Sequence, residues 1–278
     1  MTGESPRGRF AGEFAGGELE GEETPAPSRD WDAKTYDRIS DPQLSWALEQ
    51  LGRLALAGDE VVLDAGCGSG RVTAELVDRV PRGRVYAVDQ APSMVAHTRE
   101  RLGKRVTALR QDLVELELPE PVDVAFSNAT FHWIPDHDRL FARLYAALRP
   151  GGRLLAQCGG MGNIDAFRRL ADEVAAEPEF VAAFVGWQRP WNYADAETTA
   201  ARLQRAGFAD VECWLEPRQV VLEDPRPFVS TVCLVRHLDP LPDALRGPFI
   251  DRVLQRAGTP LRLDYVRLNL TGRRPAHR

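Results

Sequence analysis

The chain has 278 residues, 44% of them apolar, and a formal net charge of −6, which predicts one large α/β domain with additions. No apolar run approaches the roughly 20 residues of a membrane-spanning helix. The four cysteines are scattered without a C-x-x-C pair, so neither a zinc site nor a disulfide framework is expected, and a cytoplasmic, metal-free protein without membrane contact is predicted.

The first 30 residues differ in composition from the rest. They are rich in Gly, Glu and Pro and carry seven acidic against three basic residues. This composition, without hydrophobic periodicity, predicts a disordered acidic tail at 1–30. Residues 31–278 have a net charge near −2 and therefore lack the basic excess that holds nucleic-acid phosphates. We expect a small-molecule substrate and no nucleic acid.

The folded part of the chain is expected to begin near Trp31 and Tyr36. Asp41 and Pro42 supply an N-cap and a first-turn proline for a helix whose apolar face would hold Leu44, Ala47, Leu48 and Leu51. The aromatic pair is either a hydrophobic staple of this helix or part of a lid in front of the glycine-rich segment that follows.

That glycine-rich segment, VVLDAGCGSG at 61–70, is the most informative stretch of the chain. It predicts a buried parallel strand, a loop whose backbone approaches a ligand, and a helix from Arg71 to Val80. The spacing is G-x-G-x-G, whereas a dinucleotide turn reads G-x-G-x-x-G. Asp64 would repel phosphates but can pair with an ammonium group. The alternative is a purely structural strand-to-helix turn.

Two further strands, at 85–89 and 106–109, also lead into acids. Asp89 closes the first of them and is placed to accept hydrogen bonds from ribose hydroxyls. Asp112 follows the second, where its carboxylate can accept a hydrogen bond from an adenine amino group. Each acid alone is compatible with a solvated loop or a helix cap. Three in succession after a glycine loop favour one shared site.

This succession resembles motif I and the strand-end acids of the class I S-adenosylmethionine-dependent methyltransferases. The resemblance implies a doubly wound, mostly parallel seven-stranded Rossmann-like sheet with S-adenosylmethionine as the cofactor. It assigns the methionine moiety to Asp64, the ribose to Asp89 and the adenine to Asp112. Further cofactor contacts would come from Gly66, Cys67, Gly68, Gly70, Gln90, Met94, Leu113 and Asn128. Met94 is equally compatible with a place in the core.

A fourth strand at 122–126 leads into the turn SNATFHWIPD at 127–136. In the resemblance, His132 and Trp133 face the transferred methyl group and the substrate. The alternative is that Phe131 and Trp133 anchor the next helix in the core while His132 caps it. A proline-glycine-glycine turn then precedes a fifth strand.

Two helical excursions, at about 160–200 and 224–258, are predicted to form a cap over the site. Segments 211–215 and 261–268 would supply the last two strands of the sheet, one of them antiparallel. The second excursion would be inserted between these two strands. Aromatic and apolar stripes are more often packing than ligand contacts. The candidate wall residues of the cap are Trp187, Trp191, Arg236 and His237.

The W-D-x-x-x-Y start, the SNATFHWIPD turn and the helical insert are most similar to the trans-aconitate methyltransferase group. Methyltransferases of malonyl thioesters and of juvenile hormone acid are similar too. The resemblance implies methyl transfer to a carboxylate oxygen of a small molecule by a monomer or homodimer. Tyr36 and His132 would lie at the methyl group, and Trp31 would contact the substrate.

Other functions remain open at this point. A hydroxyl, phenol, amine or carbon acceptor would make His132 the natural proton acceptor. A protein that binds S-adenosylmethionine without turnover is a second alternative. An NAD-dependent oxidoreductase is disfavoured by the glycine spacing.

Overall fold

The computed structural model of the protein describes residues 41–276. The predictions for the tail at 1–30 and for Trp31 and Tyr36 lie outside the described residues. One sheet is formed by β1 (Val61–Ala65), β2 (Arg84–Asp89), β3 (Thr107–Arg110), β4 (Val122–Asn128), β5 (Leu148–Gly159), β6 (Ala209–Leu222) and β7 (Leu261–Arg273). The longer helices are α1 (Asp41–Leu51), α2 (Arg71–Arg79), α3 (Pro92–Leu102), α4 (His137–Ala147), α5 (Asp165–Ala175), α6 (Ala196–Ala206) and α7 (Asp243–Ala257).

The strands are ordered β3-β2-β1-β4-β5-β7-β6. Strands β1 to β5 pair in parallel, and β7 runs antiparallel between β5 and β6. The predicted fold class is therefore confirmed, including the single antiparallel strand. The order reverses between β1 and β4, and a reversal of this kind opens a crevice at the carboxyl ends of the strands.

Helices cover both faces of the sheet because successive strand residues point to opposite sides. In β1, Val62 packs on the side of α1 and α2, whereas Leu63 packs on the side of α4 and α6. Both side chains are fully buried, as expected for a parallel strand covered on both faces.

The buried face of α1 differs from the predicted one. Ala47 and Leu51 are buried as expected, but Leu44 and Leu48 are only half buried. The other buried positions are polar or aromatic: Gln43, Trp46 and Gln50. The helix is rotated relative to its apolar stripe, since Trp46 packs in the second hydrophobic core and Gln43 lines the cavity described below.

A second hydrophobic core lies beyond the sheet, in a segment that we call the cap: α5, the helical turns Pro225–Phe228 and Val229–Cys233, and α7. The cap packs around Phe167, Phe180, Phe228 and Phe249 and onto the first half of β7. Helix α6, which begins near the end of the first predicted excursion, buries Leu203 against the sheet core. In the described part of the chain, no helix is long and apolar enough to cross a bilayer.

Candidate active site

A cavity with two chambers opens at the carboxyl ends of the parallel strands. The larger chamber encloses about 1270 Å³, its open mouth included, and the smaller about 460 Å³. Both chambers are lined by Gln43, Gly66, Gly68, Asn128 and Ala129. Open α/β sheets bind ligands at this edge, so the cavity is the candidate site.

The glycine loop forms the floor between the chambers. Gly66, Gly68 and Gly70 all have positive φ angles, of 86°, 54° and 80°, which only glycine adopts readily. A Cβ at Gly66 would overlap the side chain of Thr130, and one at Gly70 would press on Thr98. Gly66 and Gly68 present bare backbone to the cavity, whereas Gly70 lines neither chamber and serves the loop conformation.

Asp64 lies at the end of β1 and lines the smaller chamber. Its Oδ2 accepts a hydrogen bond of 2.7 Å from the hydroxyl of Thr73, on α2. Burial, with a smaller contribution from the charge of Asp89, raises the pKa of Asp64 to about 7. Cys67 lies beside it with its Sγ 3.8 Å from the Thr98 hydroxyl, and burial raises the pKa of this thiol. The thiol is therefore a small packing group.

Asp89 closes the loop onto β2. Its Oδ2 accepts a hydrogen bond of 3.0 Å from the Gly68 amide, and its Oδ1 accepts one of 2.9 Å from the Ala91 amide. Burial raises the pKa of Asp89, although these amides oppose the shift. The carboxylate and the exposed Gln90 beside it both line the larger chamber.

The third acid lies further along the same edge, after β3. Asp112 is exposed and accepts a hydrogen bond of 3.1 Å at Oδ1 from the Val114 amide. It lines the larger chamber together with the buried side chains of Met94 and Leu113. The sheet order therefore brings the three predicted acids to one edge, on neighbouring strands β1, β2 and β3.

His132 follows β4 and is almost fully buried at the wall of the larger chamber. Burial, reinforced by the positive charge of Arg267 and by His137, holds the pKa of His132 well below its usual range. Its Nδ1 lies 3.3 Å from the Gly159 amide, which donates to it. The neutral ring therefore carries its proton on Nε2, and the ring stacks on Tyr193 at 5.6 Å.

Two arginines line the chamber on the side of His132. Arg236 lies over the Trp133 ring at 5.5 Å and pairs with Asp239 at 3.4 Å. Its Nε is buried without a hydrogen-bond partner in the described residues. Arg267, on β7, is buried and donates a hydrogen bond of 3.2 Å from Nε to Gln157. Trp133 and Trp191 line the chamber too, as predicted for wall residues.

Trp187 and His237 line neither chamber, contrary to their predicted place on the wall. His237 is fully buried in the cap, and its Nε2 lies 3.1 Å from Asp172 on α5. The Trp187 ring packs on the rings of His237 and Trp191, at 4.9 Å and 6.3 Å. Both residues support the wall from behind because Trp191 occupies the inner layer.

The alternative interpretation of the turn after β4 holds for one residue. Phe131 is buried and packs edge-on against Phe141 of α4, at 6.1 Å. The cap of α4, however, is Asp136, whose Oδ1 accepts from the Arg139 amide at 2.9 Å. His132 is therefore not the capping residue, and Trp133 is not a core anchor.

Several wall residues are absent from the sequence prediction: Gln43, Gln111, Thr130, Asn163, Tyr193, Tyr265 and Arg267. One of them had a signal in the sequence. Arg267 continues the alternating buried positions Leu261, Leu263 and Tyr265 of β7. Burying a charged arginine on an apolar face is costly unless polar groups or a ligand interact with it, so its place in this pattern indicates a polar site. The others depend on tertiary contacts between distant segments.

Comparisons with known proteins agree with this geometry. A family model described as a methyltransferase domain matches residues 62–152. The trans-aconitate 2-methyltransferase of Methylobacterium nodulans is 35% identical over 187 residues, 67% of each chain. The enzyme of the same name from Paracidovorax citrulli is 32% identical over 259 residues, covering 86% of this chain and 94% of its own.

A solved structure extends the comparison to the fold. Phosphoethanolamine N-methyltransferase 2 of Haemonchus contortus, in complex with phosphomonomethylethanolamine and S-adenosylhomocysteine, superposes with a TM-score of 0.57 at 20% identity. The match covers 87% of this chain and 57% of the other. With the glycine loop and the strand-end acids in one cavity, the chain belongs to the class I S-adenosylmethionine-dependent methyltransferases, in the trans-aconitate 2-methyltransferase group.

Proposed function

We propose that the enzyme methylates a carboxylate oxygen of a small polycarboxylic acid and forms its methyl ester. The observation that carries this proposal is the distribution of charge along the sheet edge. Asp64, Asp89 and Asp112 lie at the carboxyl ends of β1, β2 and β3, whereas Arg236 and Arg267 line the chamber on the side of β4 and β7. A positive adenosyl sulfonium fits the first side and a polycarboxylate fits the second.

The names of the relatives support the same substrate class. Both proteins compared above are named trans-aconitate 2-methyltransferase, and trans-aconitate is a small acid with three carboxylates. The match to the second relative runs over 94% of that protein.

The protonation of His132 favours a carboxylate over a hydroxyl or phenol acceptor. An ionised carboxylate is already a nucleophile and needs no general base, whereas a hydroxyl must lose a proton. The Nδ1 of His132 accepts from the Gly159 amide, so its Nε2 is a hydrogen-bond donor. We assign His132 to hold and orient the substrate carboxylate by donation from Nε2.

The bound cofactor supplies an electrophilic methyl group, and the residues of the protein orient the cofactor and the substrate relative to each other. In the proposed complex Asp112 and Leu113 meet the adenine, Asp89 and Gln90 the ribose, and Gly66 and Gly68 the chain toward sulfur. Met94 packs under the adenosine. Closure by Trp133 and Trp191 would exclude water, and catalysis would come from orientation in a dry site.

We further propose a cytoplasmic monomer or homodimer that binds no nucleic acid. Cys67, Cys158, Cys213 and Cys233 are all free thiols, as expected in a reducing compartment. The acidic tail at 1–30 and the contacts of Trp31 and Tyr36 with the substrate remain predictions. Gel filtration with light scattering on the full chain measures the oligomeric state.

A methyl-transfer screen tests the function. Purified protein is incubated with S-adenosylmethionine labelled on its methyl group and with trans-aconitate, cis-aconitate, citrate, a monocarboxylic acid, a phenol or an amine. We expect label in a product of the polycarboxylates, released as methanol by mild alkali because the product is an ester. Label that enters only the phenol or the amine, or that resists alkali, would contradict the proposal.

A further inference from the structure

The wall shared by the two chambers contains two buried amide oxygens that have no hydrogen-bond partner within residues 41–276. Gln43 is 6% exposed and its Oε1 is enclosed without a partner, as is Oδ1 of Asn128. An unsatisfied buried acceptor is costly. Two such acceptors on the wall of one cavity indicate a ligand that brings hydrogen-bond donors.

The orientation of the Asn128 amide is fixed by its surroundings. Its Nδ2 donates a hydrogen bond of 3.1 Å to the backbone carbonyl of Gln43, so the other end of the amide must be the oxygen. This contact also ties α1 to the end of β4. The two side chains therefore belong to one unit, although they are 85 positions apart in the sequence.

Helix α1 is anchored independently of any ligand. Trp46, one turn after Gln43, packs edge-on against Tyr265 at 5.1 Å and under the Arg267 guanidinium at 4.9 Å. Glu49 pairs with Arg218 of β6 at 2.6 Å. These contacts hold α1, and with it the backbone of Gln43, at the cavity wall.

The smaller chamber is the natural place for the amino-acid end of the cofactor. Asp112 and Leu113 line only the larger chamber, whereas Asp64 and Cys67 line only the smaller one. A cofactor with its adenosine along β2 and β3 extends over Gly68 into the smaller chamber. Its α-ammonium brings three donors and one positive charge, and Asp64 supplies the opposite charge there.

We infer that Gln43 is a cofactor-binding residue, whose Oε1 accepts a hydrogen bond from the α-ammonium of S-adenosylmethionine together with Oδ1 of Asn128. The ammonium satisfies both orphaned oxygens. Helix α1 thus contributes directly to cofactor binding rather than only covering the site. The inference holds whichever acceptor atom is methylated, because it concerns the cofactor alone.

Calorimetry with two ligands tests this role. S-Adenosylhomocysteine carries the α-ammonium, whereas 5′-methylthioadenosine lacks the amino-acid end. We expect Gln43→Leu to weaken S-adenosylhomocysteine about tenfold to a hundredfold, the range for a hydrogen bond to a charged group. Binding of 5′-methylthioadenosine should change less than about twofold. Gln204→Leu, the same change on the exposed face of α6, should alter neither.

A second variant distinguishes an acceptor from a donor. Gln43→Glu keeps the acceptor oxygens and adds attraction for the ammonium, so S-adenosylhomocysteine should bind within about threefold of wild type. Weaker binding by Gln43→Glu than by Gln43→Leu would assign Gln43 to the ligand carboxylate and overturn the inference. Unchanged S-adenosylhomocysteine binding by Gln43→Leu, or equal losses for both ligands, would overturn it too. Thermal unfolding checks the fold, and Gln43→Met repeats the test if Gln43→Leu does not fold.

Discussion

Asp64 combines a structural and an electrostatic role in one carboxyl group. Its side chain is buried and tied to Thr73, and burial raises its pKa from 3.8 to about 7. The ionised form is thus disfavoured in the cofactor-free fold. Its contribution to the free energy of unfolding falls as the pH rises from about 4 to about 7. A cation in the smaller chamber would restore the ionised form.

Cofactor binding should therefore depend on pH through Asp64. If the carboxyl is protonated in the free protein and ionised in the complex, the Kd for S-adenosylhomocysteine rises by up to about tenfold per pH unit below 7. Calorimetry between pH 5 and 7 measures this slope. Burial also raises the pKa of Asp89, so Asp89 contributes to the slope. The slope of wild type is therefore compared with that of Asp64→Asn, in which the Asp64 carboxyl is absent. Parallel slopes for that variant and wild type would show that Asp64 does not titrate on binding.

The proposed role of His132 can be tested separately, because substitution of a hydrogen-bond donor and substitution of a general base change the activity differently. His132→Gln keeps an N–H donor near the place of Nε2, so kcat/KM for the acid substrate should stay within about tenfold of wild type. His132→Leu removes the donor and should lower kcat/KM about a hundredfold or more. Steady-state kinetics at saturating cofactor check both values. Equal losses in the two variants would instead indicate a general base.

At the scale of single residues, the sequence predicts what a local motif encodes. Asp64, Asp89 and Asp112 are identifiable because each lies at or just after the end of a recognisable strand. Gln43 is not, because its role depends on α1 packing against the end of β4. His237, a predicted wall residue of the cap, lies instead behind Trp191, because its position depends on how the cap folds.

At the scale of elements, two roles of a loop glycine can be distinguished: it allows a backbone conformation with positive φ, and it leaves room for a ligand beside the backbone. Gly68 and Gly103 share a φ of 54°, and a Cβ on either would meet no atom within 4 Å. Only Gly68 lines the cavity. The two glycines therefore share a positive φ and open space around a Cβ, whereas only one of them contacts the cavity.

Alanine at these two positions should give different outcomes. Gly68→Ala and Gly103→Ala should each lower the free energy of unfolding by about 1–3 kcal/mol, the usual cost of placing a non-glycine residue at a sparsely populated positive φ. Only Gly68→Ala should also weaken S-adenosylhomocysteine, because its methyl group projects into the cavity. Urea unfolding and calorimetry give both quantities. Wild-type affinity in Gly68→Ala would place the cofactor away from the loop.

Helix α1 shows where pattern analysis of an element stops. The structure has a helix over Asp41–Leu51, where the sequence predicts one. Its buried face is offset from the apolar stripe, with Gln43 and Gln50 inside. A periodicity argument assigns polar residues to solvent, and a helix that covers a polar cavity breaks that assumption.

At the scale of the whole molecule, the sheet order follows from few sequence features. Buried parallel strands joined by helices allow only a small number of topologies, because the crossovers are right-handed. The extent of the cap does not follow in this way. Helix α6 turns Leu203 toward the sheet core and Gln204 toward solvent, so this helix packs on the sheet through one of its faces.

The distribution of charge across the cavity also predicts a role for Arg236 in substrate recognition. This guanidinium lies at the chamber wall over Trp133, and burial lowers its pKa. Its pair with Asp239 leaves Nε without a partner in residues 41–276. A carboxylate remote from the methylated one would satisfy this donor, so Arg236 should contribute to the recognition of polycarboxylates.

Arg236→Gln should raise KM about tenfold for a tricarboxylate and much less for a monocarboxylate, because the latter has no second carboxylate to lose. Its affinity for S-adenosylhomocysteine should not change, since the cofactor meets the opposite side of the chamber. Arg169→Gln is the matched control, because Arg169 pairs with Asp165 on the exposed face of α5, away from the cavity. Equal increases in KM for the two acids would mean that Arg236 holds the reacting carboxylate, and an unchanged KM for both would remove Arg236 from substrate recognition.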